Sequence, residues 1–294
     1  MSKAPSDKRP PRITTTRLSE MKAAGERIVM ITAYDAPGAR LVDAAGVDAI
    51  LVGDSLGMTV LGYDSTLPVT MDDMVRATAA VSRGASHALV VADLPFLSYQ
   101  VSVEDAIRNA GRLLAEGGAQ AVKLEGGVEV AGLVGILVDA GIPVVGHVGL
   151  TPQSVNVFGG YKTQGKSVEG GLDLVEDCRA LEVAGACAVV LELVPAELAQ
   201  LASEEIDIPT IGIGAGAGCD GQVQVFHDVL GLGDFTPRHA RRFAEIGAAI
   251  TTAIAEYSAE VRSGGFPAET QMSHLEEDVL AELERALPLT EVDD

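Results

Sequence analysis

Short apolar runs separated by helical stretches recur along this chain, and that alternation constrains its fold more than any other feature. The runs are RIVMITAYD (27–35), VDAILVGDS (47–55), HALVVADLP (87–95), AQAVKLEGG (119–127), GIPVVGHVG (141–149), ACAVVLELVP (186–195) and IPTIGIGAG (208–216). All are rich in Val and Ile. Their continuous apolar character implies strands buried on both faces, as in a parallel sheet covered by helices. The intervening stretches carry helix-start signals. SVEDAIRNAGRLLAEGG pairs Ser102 with Asp105 as a capping pattern and stops at Gly117, and TMDDMVRATAAVSRGA repeats the device with Thr70 and Asp73. Seven strands, with a weaker eighth near DVLGLGDF (228–235), predict an α/β fold: a (β/α)8 TIM barrel. An open doubly wound sheet is the alternative.

Two segments fall outside the barrel expected over residues 18–267. Residues 1–17 are polar, basic and Pro-containing and read as an N-terminal arm, disordered or bound to a partner. Residues 268–294 form an acidic C-terminal helical extension. In it Leu275, Val279, Leu280, Leu283 and Leu287 recur at helical spacing, a stripe that suits packing on the parent domain or a neighbouring subunit. The start lacks the apolar stretch of a secretory signal, and no run approaches the ~18 residues of a membrane span. Cys178, Cys187 and Cys219 are odd in number without CxxC spacing, so neither a disulfide framework nor a zinc site is expected. A reducing cytoplasm is the expected location.

Acidic residues number 42 against 21 basic ones, a net charge of −21. Such a surface repels nucleic-acid phosphates and anionic membranes. It fits either a solubility-tuned exterior or a halophilic one, adapted to a high-salt interior where repulsion is screened.

In a barrel of this kind the active site lies at the C-terminal ends of the strands. Those ends hold Asp54, Asp93, Glu125, His147 and Glu192 on five consecutive units. A single strand-end Asp commonly caps the next helix. Four carboxylates on one rim raise one another's pKa unless a cation or proton neutralises them, and oxygen donors with room for water and substrate suit Mg²⁺. His147 reads as a ligand, a substrate contact or a hydrogen-bonded core residue, with substrate contact favoured. Lys123 lies two residues before Glu125, so both point the same way. It is expected either to pair with a rim carboxylate or to bind a substrate carboxylate. The long connection GLTPQSVNVFGGYKTQGK (149–166) is a lid hinged at Gly159 and Gly160 or an oligomer contact. GIGAGAGCDG (212–221) is an anion cradle or a tight strand-to-helix turn.

LVGDSLGMTVLGYDSTLPVT, ADLPF, VKLEGG, GHVGLTPQSVNVFGGYKTQGK, LELVP and IGIGAG occur in order, and over residues 18 to about 269 the chain resembles the ketopantoate hydroxymethyltransferase family. The resemblance implies a Mg²⁺-dependent barrel that joins the one-carbon unit of 5,10-methylenetetrahydrofolate, a reduced folate, to 3-methyl-2-oxobutanoate. It places metal ligands at Asp54, Asp93 and Glu125, substrate contacts at Asp54, Ser55, Asp93 and Lys123, and the proton acceptor at Glu192. It also implies a homo-oligomer, a homodecamer built from dimers. The acidic tail extends beyond the family's usual end.

The chemistry agrees with the strand-end residues. A 2-oxoacid chelates Mg²⁺ through carboxylate and keto oxygens, the metal stabilises the C3 enolate, and one carboxylate off the metal removes the proton. Two other readings fit these residues: another Mg²⁺-enolate carbon–carbon lyase, and a non-catalytic acidic protein that holds divalent cations. The charge predicts that folding needs molar KCl, because unscreened like charges destabilise a compact state. Thermal melts across a KCl series test this, and full stability in dilute buffer would overturn the halophilic reading.

Overall fold

The computed structural model describes residues 11–287. The strands are β1 (Ile28–Thr32), β2 (Ala49–Val52), β3 (Leu89–Asp93), β4 (Ala121–Lys123), β5 (Val144–Gly149), β6 (Ala188–Glu192), β7 (Thr210–Ile213) and β8 (Gly221–Gln224). The helices are α1 (Thr15–Ala24), α2 (Ala36–Ala44), α3 (Leu56–Thr59), α4 (Met71–Gly84), α5 (Val103–Ala115), α6 (Val128–Asp139), α7 (Val155–Phe158), α8 (Val168–Val183), α9 (Ala196–Glu205), α10 (Phe226–Leu230), α11 (Ile246–Ser263) and α12 (Glu277–Ala286). Each strand pairs in parallel with the next, and β8 returns to pair with β1, closing the expected eight-stranded barrel.

Helix starts follow the capping chemistry. Thr70 and Asp73 form a reciprocal capping box at α4, and the Ser102 hydroxyl accepts from the Asp105 N–H at α5. Along α5 the buried Ala106, Ala110 and Leu113 fall one turn apart, the stripe that packs on the sheet.

Strand alternation builds two cores. Ile50, Val52, Val90, Ala92, Val122, Val189 and Leu191 point outward beneath the helices, whereas Leu51, Leu89, Val91, Ala121, Val145, Ala188 and Val190 fill the barrel interior. Carrying the same period of two onward places Asp93, Lys123, Glu125, His147 and Glu192 on the interior side, above that apolar filling. At the opposite end Leu18 and Met21 of α1 join the interior cluster and plug it. Lys22 fastens this plug. Its ammonium donates to the carbonyls of Ser203 (2.9 Å), Ile206 (2.8 Å) and Ile208 (3.0 Å) and lies 3.1 Å from Asp220 Oδ2.

The segment read as an arm therefore carries structure within its described part. Arg12 bonds Gln120 Oε1 and the Ala85 carbonyl, Ile13 N–H donates to His87 O, and α1 begins at Thr15. Residues 1–10 lie outside the described residues. The eighth strand corrects the reading near DVLGLGDF. It is formed earlier, by GQVQ, where Val223 is the one large apolar residue and pairing on both sides supplies the order that hydrophobicity does not. The apolar FHDVL becomes α10 instead, ended by Gly231 in the left-handed conformation (φ 63°).

Two compact units divide between Ala244 and Glu245. The barrel lies in the first. The second contains α11 and α12. Ile250, Ile254, Tyr257 and Val261 of α11 are solvent-exposed, as are Leu275, Val279, Leu280, Leu283 and Leu287 of the acidic extension.

Leu18 is fully buried, so Leu18→Ala should cost about 2–5 kcal/mol of stability, the usual range for a core leucine truncation. Denaturant titration checks this, and a change below about 1 kcal/mol would mean that the plug contributes little.

Candidate active site

The end of β2 shows why an Asp follows a core strand here. A Cβ at Gly53 would sit 2.7 Å from Ser55 Oγ, so glycine lets the Ser55 hydroxyl fold back against this turn. The turn aims the Asp54 N–H at Asp93 Oδ2 (3.0 Å) and leaves the buried Asp54 carboxylate accepting from Gln153 Nε2 at 2.9 Å. Ser55 sits at the edge of the group, its hydroxyl 2.8 Å from the Tyr34 hydroxyl.

Register does the rest. Asp93 stands opposite Lys123 in the β3–β4 pairing, and Asp93 Oδ1 lies 3.2 Å from Lys123 Nζ. Lys123 Nζ is also 3.2 Å from His147 Nδ1, and His147 Nε2 is 3.2 Å from Glu192 Oε2. Glu125 Oε1 is 3.7 Å from His147 Nδ1, while its Oε2 accepts from the Gln153 N–H at 2.9 Å. The structure thus gathers all six expected charged or ionisable residues into one buried network, with Ser55 beside it. Lys123 pairs with a rim carboxylate, one of its two expected roles. Glu192 is the most open member, its side chain 14% exposed.

Two further residues complete the network. Gln153, in the long connection after β5, bonds both Asp54 and Glu125. The Tyr99 hydroxyl lies 2.9 Å from Gln153 Oε1 and 3.1 Å from the Glu125 carbonyl, and accepts from the Glu125 N–H. Sequence reasoning passed over both. In the sequence Gln153 is marked only by its place in the long connection after β5, and Tyr99 carries no signal. From the same loop, the Tyr161 hydroxyl reaches Met58 Sδ of α3 at 3.7 Å, across the barrel mouth. The glycine run after β7 forms a tight connection to β8: a Cβ at Gly216 would sit 2.4 Å from Ala196 Cβ. A cavity of ≈ 320 Å³ abuts the network, lined in part by Phe96, Tyr99, Glu125, Gln153, Phe158 and Asp177.

Four carboxylates face one ammonium in this interior. Burial and then the neighbouring Asp93 push the Asp54 carboxyl up to about 7. Burial and Asp54 hold Glu125 well above the usual range, and burial raises Glu192 to about 7. For Lys123 burial is the largest single influence and pulls downward, but Asp93, Glu125 and Asp54 together outweigh it and hold the ammonium above its ordinary pKa. Burial, reinforced by Lys123, holds His147 well below its ordinary value, so the imidazole is neutral.

Among the described residues no group of three or more His, Cys, Asp or Glu forms a ready-made metal cage. Mg²⁺ usually takes only one or two protein carboxylates, however, and leaves its other positions to water and substrate. The donor set fits that smaller requirement. Buried Asp93 Oδ1 has no aligned hydrogen bond beyond its ion pair with Lys123, Asp54 is strained by like charge, and all the donors are hard oxygens.

Residues 12–269 match the ketopantoate hydroxymethyltransferase family. The chain belongs to that family. It is 56% identical over 277 residues to 3-methyl-2-oxobutanoate hydroxymethyltransferase of Dehalococcoides mccartyi (strain CBDB1), covering 94% of this chain and 99% of the relative. The enzyme of that name from Carboxydothermus hydrogenoformans is 58% identical over 259 residues, covering 88% and 94%. Among solved structures, phosphonopyruvate hydrolase superposes with a TM-score of 0.59 at 15% identity, covering 93% and 96% of the two chains. 2,3-Dimethylmalate lyase, a member of the PEP mutase/isocitrate lyase superfamily, superposes with a TM-score of 0.57 at 19%, covering 94% and 97%. At these identities the two structures establish a shared barrel fold.

The raised carboxyl of Glu192 makes a linkage prediction. A group whose folded pKa exceeds its unfolded value adds no penalty below the unfolded pKa of 4.5, and opposes folding as pH rises through about 7. Glu192→Gln should therefore gain about 3 kcal/mol over the wild type between pH 4 and pH 8. Denaturant titrations at the two pH values read this difference, and an unchanged gap would mean that Glu192 does not titrate in burial.

Proposed function

We propose that this family member transfers a hydroxymethyl group from 5,10-methylenetetrahydrofolate to 3-methyl-2-oxobutanoate, forming ketopantoate for pantothenate and coenzyme A synthesis. The observation that carries the reading is the division of labour within one network: an acidic, hard-oxygen end at Asp54 and Asp93, and a separate, partly open carboxylate at Glu192. Family membership supplies the substrate class. The adjoining cavity gives a second reactant room beside Glu125.

Asp54 and Asp93, with Glu125 behind them, would hold Mg²⁺. Bound there, the metal would act as a Lewis acid toward the 2-oxo group. Lys123, already at the Asp93 side, supplies a positive charge for the substrate carboxylate, and Ser55 a hydroxyl at the edge of the same pocket. Glu192 accepts the C3 proton as the C–H electron pair moves into the 2-oxo group. A carboxyl near 7 suits this task, since a general base works best with its pKa close to the working pH. The carbon so activated attacks the one-carbon unit of the folate. Water supplies the hydroxyl oxygen as the folate nitrogen leaves. The apolar filling of Leu51, Val91 and Val190 closes the barrel beneath the site to water.

The exposed stripe Ile250, Ile254, Tyr257 and Val261 supports a homo-oligomer, the decamer being the expected form. Among the described residues no helix is long and apolar enough to cross a membrane. We place the enzyme in the cytoplasm on its three free cysteines, and in a salt-rich one on its charge.

A coupled assay for ketopantoate with defined one-carbon donors tests the reaction. Glu192→Gln should lower turnover by roughly 10² to 10⁴ fold, the usual worth of a general base. Asp93→Asn should instead weaken Mg²⁺ binding in calorimetry. No ketopantoate with any reduced folate, or a fully active Glu192→Gln, would overturn the proposal.

A further inference from the structure

His147 occupies an unusual position within the network. Its ring is buried between Lys123 on one side and Glu192 on the other, 3.2 Å from each. A lysine ammonium has donors only, and the one carboxylate oxygen near Nδ1, Glu125 Oε1, is beyond hydrogen-bond reach at 3.7 Å, so Nδ1 presents its lone pair to Lys123. A neutral imidazole accepting at Nδ1 carries its proton on Nε2. That buried Nε2 has no aligned hydrogen-bond acceptor, and its neighbour at 3.2 Å is Glu192 Oε2. A modest rotation of the Glu192 carboxyl, which is partly open, brings the two into line. Both ring nitrogens are then committed to protein groups, which leaves none for the substrate contact expected of this residue.

We infer that His147 is a positioning residue: an Nε2–H imidazole, its tautomer set by Lys123, that grips one oxygen of Glu192 and leaves the other aimed at the substrate. The chain Asp93–Lys123–His147–Glu192 runs sideways across the four neighbouring strands β3, β4, β5 and β6. Each member is carried by a strand rather than a loop, so the acidic end of the site and the proton acceptor are held in fixed relation by the sheet itself. The inference rests on the role given above to Glu192, and goes beyond it in assigning what orients that carboxylate.

The test has two arms. In the full-length protein, ¹⁵N NMR of the histidine rings, with His147 assigned by the signal lost in His147→Gln, should show Nε2 protonated and Nδ1 bare. Lys123→Met should release that preference. A wild-type ring protonated at Nδ1, or at both nitrogens, would overturn the inference.

The second arm is kinetic. Gln at position 147 can extend an amide N–H to the place of Nε2, whereas Asn reaches only the place of Nδ1. His147→Asn should lower kcat by about 10²-fold, the scale of a misplaced reacting group, with KM for the 2-oxoacid within about threefold. His147→Gln should recover at least about tenfold of that loss, and exchange of the C3 proton with D₂O, without folate, should follow the same order. A raised KM with unchanged kcat, or equal losses in Asn and Gln, would refute positioning. Absence of exchange in the wild type overturns the proposed reaction instead, and the ring tautomer, read without substrate, still decides the inference.

Discussion

Lys123 lies 3.2 Å from Asp93 in an interior that also holds Asp54, Glu125 and Glu192, and the site as built depends on that pairing. Taking a carboxylate out of water costs several kcal/mol unless charge or hydrogen bonds compensate it. One ammonium cannot neutralise four carboxylates, so hydrogen bonds share the load: Gln153 donates to Asp54 and Glu125, and the Asp54 backbone adds a bond to Asp93. The leftover negative charge is what would attract the cation proposed above. A fully satisfied network would be more stable and would bind nothing.

The barrel makes such a network possible because its walls are stiff. Strand alternation sets polar groups above several apolar layers that end, at the other mouth, in the Leu18 and Met21 plug. The bottom of the barrel can therefore be closed by hydrophobic contact alone, and the top is left to chemistry. Lys22 ties the plug to three carbonyls at the end of α9 and just before β7, and to Asp220 just before β8, so the closure is anchored by hydrogen bonds as well as packing.

Much of this was legible in the sequence. Seven strands could be read because each is covered on both faces, which leaves an unbroken apolar run. β8 could not, because GQVQ alternates with glutamine and owes its order to β7 and β1 rather than to its own composition. The rim residues were legible from one rule, that strand ends face the site, and Lys123 from its two-residue spacing to Glu125. Gln153 and Tyr99 were not, since loop side chains obey no period. The contacts of His147 were also hidden: they depend on the lateral register of β4, β5 and β6, which pairs residues distant in sequence. The described part of the N-terminal segment looked like an arm because its anchor, Arg12, is a charged residue whose partners, the Gln120 side-chain oxygen and the Ala85 carbonyl, have no signature in composition.

Six lysines remain in a chain with 42 acidic residues. Two of them, Lys22 and Lys123, have converging partners that only a compact, rotating ammonium can serve, since three carbonyls meeting at one point do not match the flat fork of a guanidinium. Drift of the composition toward acid can strip basic groups from an exterior freely, but it halts where a positive charge has become part of the architecture. Lys22 and Lys123 are such points, whereas Lys162 and Lys166 are exposed on the surface.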